Sequence, residues 1–404
     1  MWFDDTLRGP ANNTALPLLP GDEASSMAWA PEEAKLRWGI MGCANIARKN
    51  ARSMLLCPSA ELVAVASRQL KKAQTWAAQF CPEGVRTYGS YDELLQDPEV
   101  DAVYMPLPTK FHVEWVPKAA RAKKHVLVEK PVALSLQEMD EMIAACEENG
   151  VFLMDGVMFM HHQRLRKITA DIWGPGAAFG QNLFGVPTLI TSGFSFKADD
   201  TFLEGGNIRT QADSDPLGAL GDLGWYCIRF GLACHQYRWP QKAKSVRMIY
   251  NAQGVPIDSV AHIMWDSGDE DRPYVLQFQC SFMHPFRQWM EVCGSTKILK
   301  VEDFVISRPD NATYTTEMTG FLDYDIRPTT HTEHTETPRW PQEVRMFDTF
   351  AREVAALGDA GGKPSFWSYV TAATQACCDA VVTSSKNGGE AVDVPTLSRF
   401  SAST

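Results

Sequence analysis

Residues 35–47 read KLRWGIMGCANIA, and the reading of this stretch decides the first half of the fold. Leu36, Trp38 and Ile40 alternate with polar or small residues, which is the period of a strand. Gly39 and Gly42 then supply a glycine turn, and Asn45 opens a run over 46–56 with the spacing of a helix. A strand that enters a helix through small residues can hold a pyrophosphate. The turn is tight, the backbone comes close, and the helix N-terminus offers N–H donors and a positive dipole. Counted from Gly42 the pattern is G-C-A-N-I-A, so Ala44 and Ala47 stand where a G-x-G-x-x-G fingerprint has its second and third glycines. By itself such a turn also fits an ordinary βα connection.

Working outward, strand patterns recur at 61–67, 85–88, 101–105, 124–129 and 151–154. Helical patterns fall between them at 70–80, 91–96, 111–122 and 136–149, the last capped by Ser135 and ended by Gly150. This alternation predicts an α/β Rossmann domain, a doubly wound parallel sheet, over 35–156. Beyond Gly156 the texture changes. Alternating stretches at 188–196, 245–250, 259–265, 274–282, 288–293 and 298–301 follow one another without helices, which predicts a large open, mainly antiparallel sheet. Helical patterns at 341–357 and 366–384 close the chain. Residues 157–404 therefore read as an α+β domain whose last helices could pack back on the first domain. Residues 1–34, with acidic residues and Pro, Gly and Asn between them, read as a flexible extension.

At 404 residues the chain exceeds what one core usually serves. Its hydrophobic fraction of 45% and charged fraction of 22% are those of a globular protein. A net charge of −11 argues against nucleic acid or an anionic membrane surface as partner. No apolar run has the length of a membrane span. Ten cysteines without C-x-x-C spacing fit free thiols in a reducing, cytoplasmic compartment. His331-x-x-His334 and the pair His161-His162 lack a third ligand at useful spacing, so they read as solvated loop histidines and no metal is expected.

Three further patterns carry chemistry. Ser67-Arg68, with Lys71 and Lys72 behind, ends the second strand. A carboxylate there would bond the ribose 2′-hydroxyl of NAD; a hydroxyl and a guanidinium suit a 2′-phosphate, so NADP(H) is expected rather than NAD(H). Glu129-Lys130-Pro131 lies at the C-terminal end of a strand, where open α/β sheets bind their ligands. A lysine beside a cationic nicotinamide ring is disfavoured as an ammonium, which suits it to acid–base work. In GALGDLGWY (218–226), Asp222 and Tyr226 stand four apart and would share a helix face. A carboxylate and a phenol together can bind a diol and move its proton; a capped helix start with a buried tyrosine fits the same stretch.

With YMPLPTKFH (104–112), VEKPVALS (128–135) and LMDGVMFMHH (153–162) added in this order, the chain resembles the Gfo/Idh/MocA oxidoreductases from about residue 36 onward. The wording is closest to the branch near dimeric dihydrodiol dehydrogenase and NADP-dependent D-xylose dehydrogenase. The resemblance implies hydride transfer between NADP and a hydroxyl-bearing carbon of a polyol, sugar or cyclic diol. Lys130, Tyr226 and Asp222 would be catalytic. The turn residues Gly39, Gly42, Cys43, Ala44, Asn45 and Ile46 would bind the cofactor, with Ser67, Arg68 and Lys72 at the 2′-phosphate. Pro106, Leu107, Pro108, His112, Glu129 and Lys130 would line the nicotinamide side. His161 and Arg164 would join Asp222 and Tyr226 at the substrate. Phe159 (or Met158) and Gln163 stand where related branches carry a tryptophan and a proline, which leaves the substrate open.

Two other functions suit the same scaffold: a redox-neutral oxidation, elimination and re-reduction on a tightly held cofactor, and an NADP-binding regulator without turnover. Retention of Lys130, Asp222 and Tyr226 weighs against the regulator. Finally, Trp265, Phe278, Phe282 and Trp289 should divide between the two sheet faces, leaving apolar surface exposed. A homodimer through this sheet is therefore expected.

Overall fold

A computed structural model describes residues 29–174, 184–269, 271–307, 312–322, 325–335, 341–360 and 365–400. They divide into two compact units, one within 29–162 and 341–372, the other within 163–339 and 373–400.

In the first unit strands and helices alternate: β1 (Leu36–Met41), α1 (Asn45–Leu56), β2 (Ala60–Ala66), α2 (Leu70–Phe80), β3 (Arg86–Tyr88), α3 (Tyr91–Leu95), β4 (Ala102–Met105), α4 (His112–Arg121), β5 (His125–Val128), α5 (Leu136–Asn149) and β6 (Leu153–Asp155). The strands form one parallel sheet in the order β3-β2-β1-β4-β5-β6, so the chain reverses direction across the sheet beside β1. Ligands of such sheets bind outside the strand ends at that reversal. Helices are set by local signals. The Ser135 hydroxyl accepts from the Glu138 N–H at 3.2 Å while the Glu138 carboxylate accepts from the Leu134 N–H at 2.9 Å. Gly150 ends the helix at φ 65°. Val103, Tyr104, Val126 and Leu127 are wholly buried, which is why their strands read as apolar runs rather than alternations.

The second unit contains α6 (Gln163–Trp173), β7 (Leu189–Ser195), α7 (Trp225–Cys234), β8 (Lys242–Tyr250), β9 (Pro256–Trp265), β10 (Tyr274–Ser281), β11 (Arg287–Cys293), β12 (Ile298–Val301), β13 (Ala312–Leu322) and β14 (Asp325–Thr335). Toward the end of the chain come α8 (Gln342–Ala360), α9 (Phe366–Lys386) and β15 (Val392–Asp393). Nine strands pair in the order β14-β13-β12-β11-β7-β10-β9-β8-β15. All pairings are antiparallel except β7 with β10. The hairpin β13–β14 and helix α6 carry no signal that the sequence reading used: 312–335 is rich in Thr rather than apolar residues, and its order comes from pairing with β12.

Register divides the two faces of this sheet. Ile263, Leu276, Ile190, Val292 and Leu299 lie in one row across five strands and are all wholly buried. One residue along, Met264, Val275, Leu189, Cys293 and Ile298 form a partly exposed apolar row on the other face. The row beside it on that face, His262, Gln277, Thr191, Glu291 and Lys300, is polar. Trp265 and Phe278 are on the buried face, whereas Trp289 sits opposite Gly193 on the other. A Cβ on Gly193 would come within 2.7 Å of the Trp289 indole nitrogen.

Helix α8 packs in the first unit. Phe347 and Phe350 lie against Trp38 with ring centroids 5.0 and 4.8 Å apart, and Phe350 meets Phe152 at 5.0 Å. Asp348 accepts from the Ala30 N–H at 2.7 Å and the Ser59 hydroxyl at 2.6 Å, and Arg345 stacks over Trp29 at 4.2 Å. Trp29 and Ala30 are thus held against α8, while residues 1–28 of the expected extension lie outside the described residues. The histidine reading also changes. His331 is on strand β14, 2.7 Å from Glu333, and His161 is buried; among the described residues no cluster of His, Cys, Asp or Glu could hold a metal. No described helix is long and apolar enough to cross a membrane.

Candidate functional site

In the first unit the turn after β1 is made by Gly42, whose φ is +120°. A side chain there would be strained, and its Cβ would lie 3.0 Å from Leu107 Cδ2. Ala44 occupies the N-cap of α1 and provides no side-chain cap, so backbone N–H groups of the first turn point at whatever lies beyond. Gly39 does not belong to this turn. It lies inside β1, where a Cβ would come within 2.9 Å of Leu94 and 3.2 Å of Val100, so its smallness serves the packing of α3.

Next to the turn, Cys43, Ser67, Arg68, Gln69, Lys72 and Tyr91 line an open cavity of about 510 Å³. Ser67 is buried; Arg68 and Lys72 are exposed at its rim. Burial raises the Cys43 thiol and the Tyr91 phenol above their ordinary values, and Lys72 and Arg68 respectively pull against that shift. The cations therefore face the cavity. A second cavity of about 410 Å³ adjoins Arg68 and Tyr91 and is walled by Leu107, Pro108, Phe111 and Trp115. A basic, hydroxyl-bearing lining beside a glycine cradle fits a phosphorylated nucleotide.

Strand β5 delivers Glu129 and Lys130, both half-buried, beyond its C-terminal end, and the Lys130–Pro131 peptide is cis. Glu129 is tied down. Its carboxylate accepts from the Tyr104 hydroxyl at 2.5 Å, and Asn50 donates to that hydroxyl at 2.6 Å. His112 is also used internally and does not present its ring to a ligand. One ring nitrogen lies 2.9 Å from the Val132 carbonyl and the other 3.0 Å from that of Leu107, so the buried ring ties the two loops together. Burial pushes its pKa down to about 4, with the carbonyls opposing.

In the second unit Asp222 lies on a π-helical turn, Leu220–Gly224, that runs directly into α7 and Tyr226. Such wide turns recur at functional sites. Both residues are buried, and Phe194 packs 5.8 Å from the Tyr226 ring. Arg209, on the short turn Ile208–Thr210, places Nε 2.9 Å from the Asp222 carboxylate. Its guanidinium is held above its ordinary value, chiefly by Asp222, with Asp215 and Tyr226 contributing. Sequence reasoning missed Arg209; the available signal was an arginine in a polar segment shortly before the Asp222 turn.

Two of the four residues expected at the substrate, Arg164 and His161, have packing partners of their own. Arg164 is buried and committed to structure: it pairs with the Asp303 carboxylate and donates to the carbonyls of Asp303 (2.8 Å) and Thr313 (3.1 Å). His161 is in the first unit, stacked on Trp367 at 4.8 Å. Near that stack Glu353 is pushed up to about 7 by burial, with Trp367 opposing.

Comparison with known proteins follows the same lines. Residues 36–157 match the Gfo/Idh/MocA family, described as an oxidoreductase family with an NAD-binding Rossmann fold. An uncharacterized oxidoreductase of Rhizobium meliloti is 45% identical over 278 residues, 68% of this chain and 77% of that one. Trans-1,2-dihydrobenzene-1,2-diol dehydrogenase of Danio rerio is 32% identical over 234 residues, 55% of this chain and 61% of that one. Other curated relatives are matched over about half their length. Among solved structures, a 3-ketoreductase from Actinomadura kijaniata in complex with NADP and TDP-benzene superposes with a TM-score of 0.69 at 26% identity, covering 87% of this chain and 98% of that one.

Proposed function

From the premise that this chain belongs to the Gfo/Idh/MocA oxidoreductase family, we propose that it is an NADP-dependent dehydrogenase or reductase acting on a hydroxyl-bearing carbon of a sugar, polyol or cyclic diol. The observation that carries this reading is the cavity lined by Ser67, Arg68 and Lys72 beside the Gly42 turn. In this reading the N–H groups at the start of α1 hold the pyrophosphate, and Ser67, Arg68 and Lys72 hold the 2′-phosphate. When bound, the nicotinamide supplies or accepts the hydride. The residues of the chain bind, orient and move the proton. Lys130 and Tyr226 are assigned to the hydroxyl proton and Asp222 to orientation. The NADP complex of the Actinomadura ketoreductase and the dihydrodiol relative support the cofactor and the substrate class.

The test is to mix the protein with NADP⁺ or NAD⁺ and a panel of aldoses and cyclic diols while following reduced-cofactor absorbance. Net reduction with NADP⁺ is expected. Substrate conversion without net reduction would favour the redox-neutral cycle, and tight binding with neither would favour the regulator. We also propose a homodimer through the partly apolar face of the nine-stranded sheet. Sedimentation showing only monomer at micromolar concentration would remove that part.

A further inference from the structure

Asn50, on α1, and Tyr104, on β4, are 2% and 0% exposed respectively. They form one chain of hydrogen bonds that ends on Glu129. The Asn50 amide donates to the Tyr104 hydroxyl at 2.6 Å, and that hydroxyl donates to the Glu129 carboxylate at 2.5 Å. Both donors point the same way, toward the C-terminal end of β5. The backbone of Glu129 is pinned as well, its N–H donating to the Met105 carbonyl at 3.2 Å. On the other side the Gly156 N–H donates to the Val128 carbonyl at 2.8 Å, and a Cβ on Gly156 would crowd the Glu129 carboxyl carbon at 3.3 Å. Asn50 is costly where it stands. Its side-chain carbonyl oxygen is buried and meets no hydrogen-bond donor in the protein, and an unmet buried acceptor lowers stability. A leucine would fill a similar volume without that loss, so the packing of α1 does not account for Asn50.

We propose that Tyr104 and Asn50 are positioning residues that hold the Glu129 carboxylate in place at the nicotinamide side of the cofactor site, one residue before Lys130. The proposal rests on the reading of Glu129 and Lys130 as nicotinamide-side residues. Neither Tyr104 nor Asn50 touches cofactor or substrate in this scheme; both act through Glu129. A carboxylate on a flexible side chain loses rotamer freedom when it meets a ligand, and a bond already made to a buried hydroxyl removes that loss beforehand. Tyr104 and Glu129 have further neighbours, so the hydroxyl carries one share of the hold, and Tyr104→Phe removes that share alone. Asn50 orients the hydroxyl, since a phenol that accepts from the amide turns its own proton toward Glu129.

The experiment compares wild type, Tyr104→Phe, Asn50→Leu, Glu129→Gln and the Tyr104→Phe/Glu129→Gln double variant of the full chain. It reads thermal stability without cofactor, NADPH affinity and bound-state emission by fluorescence, and single-turnover hydride transfer. Tyr104→Phe should slow hydride transfer by about 10-fold, the usual order for a hydrogen bond to a charged group, and Asn50→Leu by less. In the Glu129→Gln background, removing the hydroxyl should cost at most about 2-fold more, because the carboxylate it acts on is already gone. Asn50→Leu should melt no lower than wild type; a clearly lower melting temperature makes Asn50 structural and overturns its part. A Tyr104→Phe that transfers hydride normally, or that loses the same factor in both backgrounds, overturns the whole. Should Tyr104→Phe fail to fold, Asn50→Leu carries the same comparison, alone and with Glu129→Gln. If wild type reduces no cofactor with any substrate while Tyr104→Phe and Glu129→Gln change the bound NADPH emission alike, the positioning role stands and the dehydrogenase reading falls. Unchanged emission in both would then end the two together.

Discussion

The two turns to which we assign cofactor binding and proton transfer are built on opposite plans. The Gly42 turn is made of backbone. It has a φ only glycine adopts easily, an N-cap alanine with no side-chain bond, and an open cavity rimmed by exposed cations. The Asp222 turn is made of side chains. Its carboxylate is buried and already ion-paired with Arg209, and an aromatic ring packs beside Tyr226. An anion's receptor works by leaving donors unsatisfied until the ligand comes. A proton-transfer group works by having its protonation state set beforehand. The difference in burial between the two turns matches the two tasks we propose for them.

If the division is right, substitutions should separate binding from chemistry. The largest effect is expected from Lys130→Met and Tyr226→Phe: turnover should fall by roughly 10²–10⁴, the usual worth of a positioned acid or base, while NADPH affinity read by fluorescence stays near wild type. Lost affinity with normal turnover per bound cofactor would make Lys130 structural. The double variant should lose less than the product of the two single losses if they act as one relay.

Arg68→Asp attacks the receptor instead. An interaction of a charged group with a phosphate is worth roughly 1.5–3 kcal/mol, so NADP affinity should drop by about one to two decades while NAD is spared. A wild type that already prefers NAD would end this reading of Ser67 and Arg68. Gly42→Ala should cost about 1–2 kcal/mol through backbone strain, because its φ is +120° and Leu107 stands 3.0 Å from the new Cβ. Cofactor affinity and thermal stability measured together locate that loss. Equal behaviour of Gly42→Ala and wild type would show the turn to be an ordinary connection.

The smallest effect concerns pH. His125 accepts the Phe152 N–H through Nδ1 at 3.0 Å, and burial pushes its pKa down to about 4. The unfolded chain binds the proton near 6.5, so this contribution to stability is present above 6.5 and is lost as pH falls toward 4. His112 acts in the same direction. Glu353, raised to about 7, acts in the opposite one: its burial costs stability as pH rises from about 4.5 to 7. His125→Gln isolates the first effect. Denaturant titrations should show wild type losing stability relative to the variant between pH 6.5 and 4, and a constant difference above 7. A difference that does not change with pH would refute the assignment.

The alternation of apolar strands and capped helices in 35–156 was legible because each signal is local: Ser135, Gly150 and the buried runs around Val103 and Val126 act on their own neighbours. The hairpin β13–β14 was not legible, since its Thr-rich strands take their order from β12 rather than from their own apolar pattern. Strand direction in the second sheet was hidden for a similar reason. Alternation gives the face of a residue but is blind to whether the neighbouring strand runs with it or against it, and β7 enters the middle of the sheet parallel to β10.

At the sites the same boundary holds. Ser67, Arg68 and Lys72 line one cavity with Cys43 because successive βα turns of a parallel sheet lie side by side, so spacing along the chain dictates spacing in space. Gly39 was misplaced by a few ångströms of context: only the structure puts Leu94 and Val100 against it. Arg164 has the residue type of a substrate ligand, and its burial with Asp303, 139 positions away in sequence, makes it a structural cation. Arg209 has the residue type of a surface cation, and its contact with Asp222 makes it part of the site. The sequence by itself determined which groups could do chemistry; charge–charge contacts act through space at a few ångströms, so only the tertiary structure decided which of the arginines is neighbour to which carboxylate.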